Sequence, residues 1–304
     1  MMQRSYAVYD VFTERALAGN PLAIVFDAEG LETDAMQAIA REFNLSETVF
    51  VQPPEQEAQT ARIRIFMPGG ELPFAGHPTV GTAVALAERN GIGDALDQII
   101  ILRETIGNIR CAVRTEGESG YAEFDLPRLP EPHPCELDPA AVAEALRLNP
   151  QDIGFENHTI SAWTAGKPYF CVPVRGLDAA ARAQMNAQRW TALFEETDPL
   201  KIDCPYVYCR ETVHHECAFH ARMFAPHHGI PEDPATGSAV AALAGAISHF
   251  DGLSDGPVAL PIEQGIEMGR PSFMRLEIEA AGGEIRSARI GGAAVKVAEG
   301  TLYA

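Results

Sequence analysis

Positive charge is scarce in this chain. Lysine and arginine number 23 against 42 aspartates and glutamates in 304 residues, a net charge of −19. That surplus repels phosphate polymers and anionic membranes at long range, so neither nucleic acid nor a membrane is expected as a partner. A small anionic substrate would need positive potential built locally into its site. Long apolar runs are missing too: none is long enough to span a bilayer. The opening "MMQRSYAVYDVFTERAL" has no apolar core of signal-peptide type. The six cysteines (Cys111, Cys135, Cys171, Cys204, Cys209 and Cys217) form no CxxC pair. Without an export signal they are expected as free thiols in a cytoplasmic protein.

A third absence is local. "EDPATGSAVAALAGAI", residues 232–247, carries no charge after Asp233 and almost nothing larger than valine. A surface helix would be charged on one side, so a helix this small and apolar is expected to be enclosed all round. What surrounds it is suggested by a repeat. "RIFMPGGELPFAGHPTVGTAVAL" begins at Arg64 and "RMFAPHHGIPEDPATGSAVAAL" at Arg222. Both read Arg-x-Phe-x-Pro, a loop, His-Pro or Asp-Pro, then Gly-(Thr/Ser)-Ala-Val-Ala. His77 corresponds to Asp233, Gly81 to Gly237 and Thr82 to Ser238. Two copies are too few for a solenoid. They imply two equivalent domains, 1–127 and 128–304, divided near "DLPRLPEPHP", with the C-terminal strand able to return to the first.

Each copy has one grammar. "ARIRIF" (61–66) and "CAFHARMF" (217–224) alternate as strands do. Proline at the first helical position follows, which puts His77 and Asp233 at or beside the N-caps. Gly91 is placed to end the first helix. Further strands are expected at 6–12, 22–26, 48–51, 99–102, 109–113 and 122–125 in the first half. The second half offers 169–174, 206–210, 274–278 and 293–297. Amphipathic helices are expected at 33–43, with Met36, Ile39, Ala40 and Phe43 on one face, and at 138–148. The glycines of "GGEIRSARIGGAAVKVAEG" read as hairpin turns, since no helix follows to make a phosphate loop. The fold class is therefore α+β: two pseudo-symmetric domains, each a barrel-like sheet around a central helix.

Helix N-termini offer unpaired N–H groups and a positive dipole end, a seat for carboxylate or phosphate. With both N-termini turned to one cleft, His77 and Asp233 would flank a small anion. Gly76, Gly237 and Ser238 would let backbone approach it. Taken singly, each residue also reads as a cap or a small polar residue of a first turn. The duplicated context favours function, because the copies differ where the titratable groups stand. Glu47, at the joint of a helix and a strand in "FNLSETVFV", is a third acid.

"GNPLAIVF", "NLSETVFV", "FAGHPTVGTAVAL", "FAPHHGIPEDPATGSAVAALAGAI" and the closing "GGAAVKVAEGTLYA" together resemble the PhzF-like phenazine-biosynthesis family, related in fold to diaminopimelate epimerase. The likeness runs through nearly the whole chain in order. It implies a homodimer, a site between two similar domains, and an isomerase working without metal or organic cofactor. It further implies that Glu47 moves a proton between carbons of a small cyclic amino acid, helped by His77, Asp233 and Ser238.

Two rivals remain open at this level. An epimerase using two thiols would need cysteines at the helix N-termini, yet Ala75 stands near one and Cys217 lies upstream of the other, in a strand. An epimerase with other bases, or a non-catalytic carboxylate-binding protein, fits the same residues. A metal site among Cys209, His214, His215, Cys217, His220, His227 and His228 is not expected, because their spacing matches no zinc pattern.

Overall fold

A computed structural model of the chain describes residues 2–89, 98–117, 119–194 and 204–304, apart from the side chains at 116 and 228. Its first unit joins Met1–Asp125 with Arg270–Phe273 and Arg289–Ala304; the second joins Leu126–Gly269 with Met274–Ala288. Among the described residues no helix is long and apolar enough to cross a membrane.

The chain opens with β1 (Gln3–Val11), β2 (Asn20–Val25), α1 (Thr33–Phe43), β3 (Glu47–Gln52), β4 (Ala61–Met67) and β5 (Gly70–Leu72). Then come α2 (Gly76–Arg89), β6 (Gln98–Glu104), β7 (Gly107–Glu116) and β8 (Ser119–Asp125). The second unit begins with β9 (Glu131–His133), α3 (Pro139–Ala145), β10 (Ser161–Thr164) and β11 (Pro168–Pro173). It continues with α4 (Leu177–Arg182), α5 (Ala187–Ala192), β12 (Cys204–Cys209), β13 (Phe219–Ala225) and β14 (Ile230–Asp233). The last elements are α6 (Gly237–Asp251), β15 (Gly256–Gln264), β16 (Ser272–Ala281) and β17 (Glu284–Tyr303).

Strand pairing bears out the repeat. In the first unit β1–β2 is antiparallel, β2–β3 parallel, β3–β4 and β4–β5 antiparallel, and β4–β6 parallel. The ladders β10–β11, β11–β12, β12–β13, β13–β14 and β13–β15 have the same senses, one for one. The duplicated Arg-x-Phe also has a shared physical role. Residues two apart on a strand share a face. The Arg64 guanidinium sits 5.1 Å from the Phe66 ring and forks Glu71 of the facing strand at 2.7 Å. Arg222 lies 4.8 Å from the Phe224 ring and forks Glu232 at 2.8 and 2.9 Å.

The first unit closes on itself. β6–β7, β7–β8, β8–β17 and β17–β1 are antiparallel, so β1, β2, β3, β4, β6, β7, β8 and β17 form a ring of eight strands. Helix α2 contacts β1, β2, β3, β6, β7 and β8, and every residue from Gly76 to Ala87 is buried. Space inside is tight. A Cβ added at Gly81 would come within 2.7 Å of Leu22 and Val11, and one at Gly120 within 2.5 Å of Val84. That crowding is the reason for small side chains along α2. Outside the ring, Met36, Ile39 and Ala40 of α1 pack with Phe50 and Phe66, with Phe43 at the margin. In the second unit α6 is buried from Ala239 to Ile247 and contacts β9, β10 and β11, while Trp190 centres a core with α3 and α4.

Several boundaries differ from expectation. Gly91 lies outside the described residues. Helix α2 starts at Gly76, so His77 is inside its first turn rather than a cap, and Pro78 sits where a missing N–H leaves no intrahelical bond unmade. Helix α6 starts only at Gly237, because Asp233 ends β14 and Thr236 takes the N-cap position. The equivalent glycines thus differ in use: Gly81 is mid-helix and Gly237 opens one. Strand β13 begins at Phe219, since Cys217 N–H donates to the His214 carbonyl in the preceding turn. The helix expected to Leu148 ends at Ala145, with the Asp138 carboxylate accepting from Ala140 and Ala141 at its start. Finally, β17 is one continuous strand. Only Gly282 and Gly283, with φ of 63° and 78°, make a turn. Gly291 and Gly292 instead make room for Tyr121 and Phe12.

Candidate active site

Glu47 owes its place to a helix stop and a strand start. α1 ends on Asn44 in the left-handed region, φ 52°, whose N–H donates to the Ala40 carbonyl. The chain then enters β3, and Glu47, its first residue, pairs in register with Leu22 of β2. Two residues before Leu22 stands Asn20, fully buried. Its Nδ2 is 3.3 Å from His77 Nδ1, and His77 Nε2 is 3.4 Å from Glu47 Oε2. The helix start, the strand start and β2 therefore bring Asn20, His77 and Glu47 together.

The electrostatics of this group follow from dryness. Burial lowers the His77 imidazole from its ordinary 6.5 to about 3, so it is neutral at physiological pH. An Asn20 Nδ2 that donates to Nδ1 leaves the ring hydrogen on Nε2, the atom 3.4 Å from Glu47 Oε2, a contact that is not a formed hydrogen bond. A neutral imidazole can orient a carboxylate without trapping it as an ion pair. Gly76, the first residue of α2, is buried beside His77.

The second unit holds Asp233, Gly237 and Ser238. Asp233 is 5% exposed and faces Met223 at the end of the β13–β14 hairpin. Thr236 Oγ1 donates to its Oδ2 at 2.5 Å, and Gln264 Nε2 donates to its main-chain oxygen at 2.7 Å. Gln264 Oε1 in turn accepts from Thr236 N–H at 3.2 Å and from Tyr206 OH at 3.1 Å. Ser238 is the second residue of α6, and its Oγ is 2.6 Å from Tyr169 OH. Burial raises the Tyr169 phenol, and the Asp233 charge pushes the same way, so that phenol stays neutral.

Asn20, Thr236, Gln264 and Tyr169 were not singled out by residue pattern. Asn20 lies within "GNPLAIVF", one of the stretches carrying the family resemblance, and that was its one available signal. Thr236 lies within the quoted "EDPATGSAVAALAGAI", three residues from the Asp233 it holds, while Gln264 and Tyr169 come from strands remote in sequence from what they hold.

Three of the histidines weighed for metal, His214, His220 and His227, have other partners. His214 and His220 share Glu263, with His220 Nε2 also 3.0 Å from Glu267, and His227 is 3.1 Å from Thr191 Oγ1. Among the described residues no three such side chains are grouped to hold a metal ion.

Residues 9–300 match the model of the family described as phenazine biosynthesis-like protein. The chain is 57% identical to an uncharacterized isomerase of Mesorhizobium japonicum over 303 residues, covering 100% of both. It is 35% identical to the trans-2,3-dihydro-3-hydroxyanthranilate isomerase of Pseudomonas aeruginosa, covering 98% of this chain and 99% of that one. The crystal structure of the Bacillus anthracis phenazine biosynthesis protein, PhzF family, superposes with a TM-score of 0.89 at 26% identity, over 100% of both chains.

Proposed function

The chain belongs to the phenazine biosynthesis-like family, and from that membership we propose that it moves a proton between carbon atoms of a small cyclic amino acid or related carboxylate, with Glu47 as the general acid and base. It is an isomerase; the substrate and the residue roles are the proposal.

One observation carries the reading: a carboxylate at a strand start, 3.4 Å from an imidazole that burial keeps neutral and whose other nitrogen lies 3.3 Å from Asn20 Nδ2. Glu47 takes a proton from an activated C–H and returns it to another carbon of the same face. His77 aims that carboxylate through Nε2–H. Asp233, oriented by Thr236, serves protons on the substrate's heteroatoms. Ser238, oriented by Tyr169, together with the amides at Gly76 and Gly237, holds the substrate carboxylate and steadies developing charge. Those helix-start amides supply the positive potential that a chain of net charge −19 otherwise lacks. The relative from Pseudomonas aeruginosa makes dihydrohydroxyanthranilate the first substrate to try. The homodimer implied by the resemblance belongs to the same proposal, with a light-scattering mass twice that of one chain as its check.

Incubation with candidate cyclic amino acids in D2O should place deuterium on carbon. Glu47→Gln should slow that exchange by about 10²–10⁴-fold, the usual worth of a positioned acid–base group, with binding nearly unchanged. Exchange at the wild-type rate in Glu47→Gln would remove Glu47 from the mechanism. Saturable binding with no exchange in the wild type would make the protein a receptor.

A further inference from the structure

Below the first turn of α2 lies a carboxyl group that the proposed reaction leaves unused. Glu104 ends β6 and is 2% exposed. Thr79 Oγ1 lies 2.7 Å from Glu104 Oε1 and also 2.7 Å from the Ala75 carbonyl oxygen. The other carboxyl oxygen, Oε2, is buried with no hydrogen-bond partner. Among the described residues no cation pairs with this carboxyl.

A hydroxyl has one hydrogen to give. Set between two oxygens at that distance, Thr79 can satisfy only one of them. Were Glu104 ionised, the other contact would press two bare oxygens together in a dry interior. A second hydrogen resolves the conflict, and Glu104 itself is its source. The orphaned Oε2 points the same way: a neutral carbonyl oxygen left without a donor costs far less than a buried anion.

We propose that Glu104 is a positioning residue held as a neutral acid: its O–H donates to Thr79, Thr79 donates to the Ala75 carbonyl, and this relay fixes the turn that carries His77. The same carbonyl also accepts Thr79 N–H at 3.2 Å, so both hydrogens of Thr79 converge on one oxygen of that turn. Pro78, between His77 and Thr79, has no N–H to add. The functional meaning of the relay rests on His77 serving Glu47; the placement of the proton does not.

The surroundings agree. Burial raises the Glu104 carboxyl from 4.5 to about 8, outweighing the lowering by Thr79. From β7 it faces the Cys111 thiol, pushed far above its ordinary range by burial, then by Glu104 and by Asp125 of β8. Arg103 of β6 meets the main-chain oxygen of Glu104, at 3.0 Å, and pairs with the Glu55 carboxylate at 3.5 Å. From α2 the titratable group is His77, already neutral.

The test reads Glu104 and His77 separately, in the full chain without ligand. Infrared difference spectra of wild type against Glu104→Gln should show a protonated carboxyl at neutral pH, lost with a midpoint at about 8. The 15N signals of the His77 ring should move with that midpoint in wild type and stay still in Glu104→Gln, whose amide still donates to Thr79. Thr79→Ser should retain the coupled shift, whereas Thr79→Val should leave the carboxyl titrating and His77 unmoved. An ionised Glu104 at neutral pH overturns the proposal, as do His77 signals that titrate alike in wild type and Glu104→Gln. A chain that catalyses no exchange yet shows these coupled shifts would sink the catalytic reading and leave this one standing.

Discussion

At the scale of single residues, the neutral state of His77 has a thermodynamic signature. Its folded value, about 3, lies below the ordinary 6.5, so the unfolded chain binds the proton more tightly. The stability associated with this group is present above 6.5 and is lost as pH falls towards 3, at about 1.4 kcal/mol per pH unit. His77→Asn keeps a polar side chain without that titration. The stability difference between wild type and His77→Asn, from urea midpoints at about pH 7.5, 5.5 and 4.5, should therefore move in the variant's favour as the solution is acidified. A difference independent of pH would mean that His77 keeps its ordinary value of 6.5 in the folded protein. The same residue shows the reach of sequence reading. His77 was legible as a candidate because the repeat set it opposite Asp233. Its orientation was not, because Asn20 and Glu47 meet it through strand pairing that no local pattern records.

Among the elements, the helices are governed by the space around them. Glycine inside an exposed helix is about 1 kcal/mol worse than alanine, so Gly245→Ala in α6 would ordinarily stabilise. Here the new Cβ would come within 2.6 Å of two Trp163 ring carbons and 3.1 Å from Pro130. Overpacking of that kind costs roughly 1–3 kcal/mol, enough to cancel or exceed the propensity gain. Thermal melts should show Gly245→Ala no more stable than wild type and up to about 2 kcal/mol less stable. A clear stabilisation would mean that Trp163 moves aside freely.

The connection between β12 and β13 is held by charge instead. Glu263 accepts from Val213 and His214 main-chain N–H groups at 2.6 and 2.9 Å, and its partner His220 is fully buried. Burial lowers the His220 imidazole, but the Glu263 and Glu267 carboxylates overcome it and raise the value to about 9. Glu263, despite burial that raises it, is brought down to about 2 by His220 and those N–H groups. The stability supplied by His220 is thus complete below 6.5 and lost as pH rises through 9; that of Glu263 is complete above 4.5 and lost as pH falls through 2. The advantage of wild type over His220→Gln should be greatest between 4.5 and 6.5 and shrink through 9 in melts across that range. An advantage that grows with pH would mean a neutral His220.

At the scale of the whole molecule, the charge of −19 opposes the approach of any anionic substrate. Salt screens that opposition over about 8–10 Å. For a carboxylate that the exchange assay identifies, kcat/KM should rise between low and physiological ionic strength, by a few-fold on electrostatic grounds. A fall would show that local positive potential dominates encounter. The duplicated architecture was legible at this scale, since Arg-x-Phe-x-Pro and the small-residue helices recur with strand alternation before them. What was not legible has a physical cause in each case. At the staggered starts of α2 and α6, Thr79 and Thr236 also meet Glu104 and Gln264, partners distant in sequence. Strand β15 alternates weakly, and the glycines of β17 mark neighbours' side chains rather than turns.

The eight-strand ring also orders events in time. Its neighbours β1 and β8 are complete once translation has passed Asp125, but β17, which must lie between them, begins only at Glu284. A nascent chain on the ribosome therefore carries a gap in its first unit until Glu284–Tyr303 has emerged, with two strand flanks bare and sticky in the interval. Chaperone demand and loss to aggregation should accordingly be set by how promptly β17 emerges after β8.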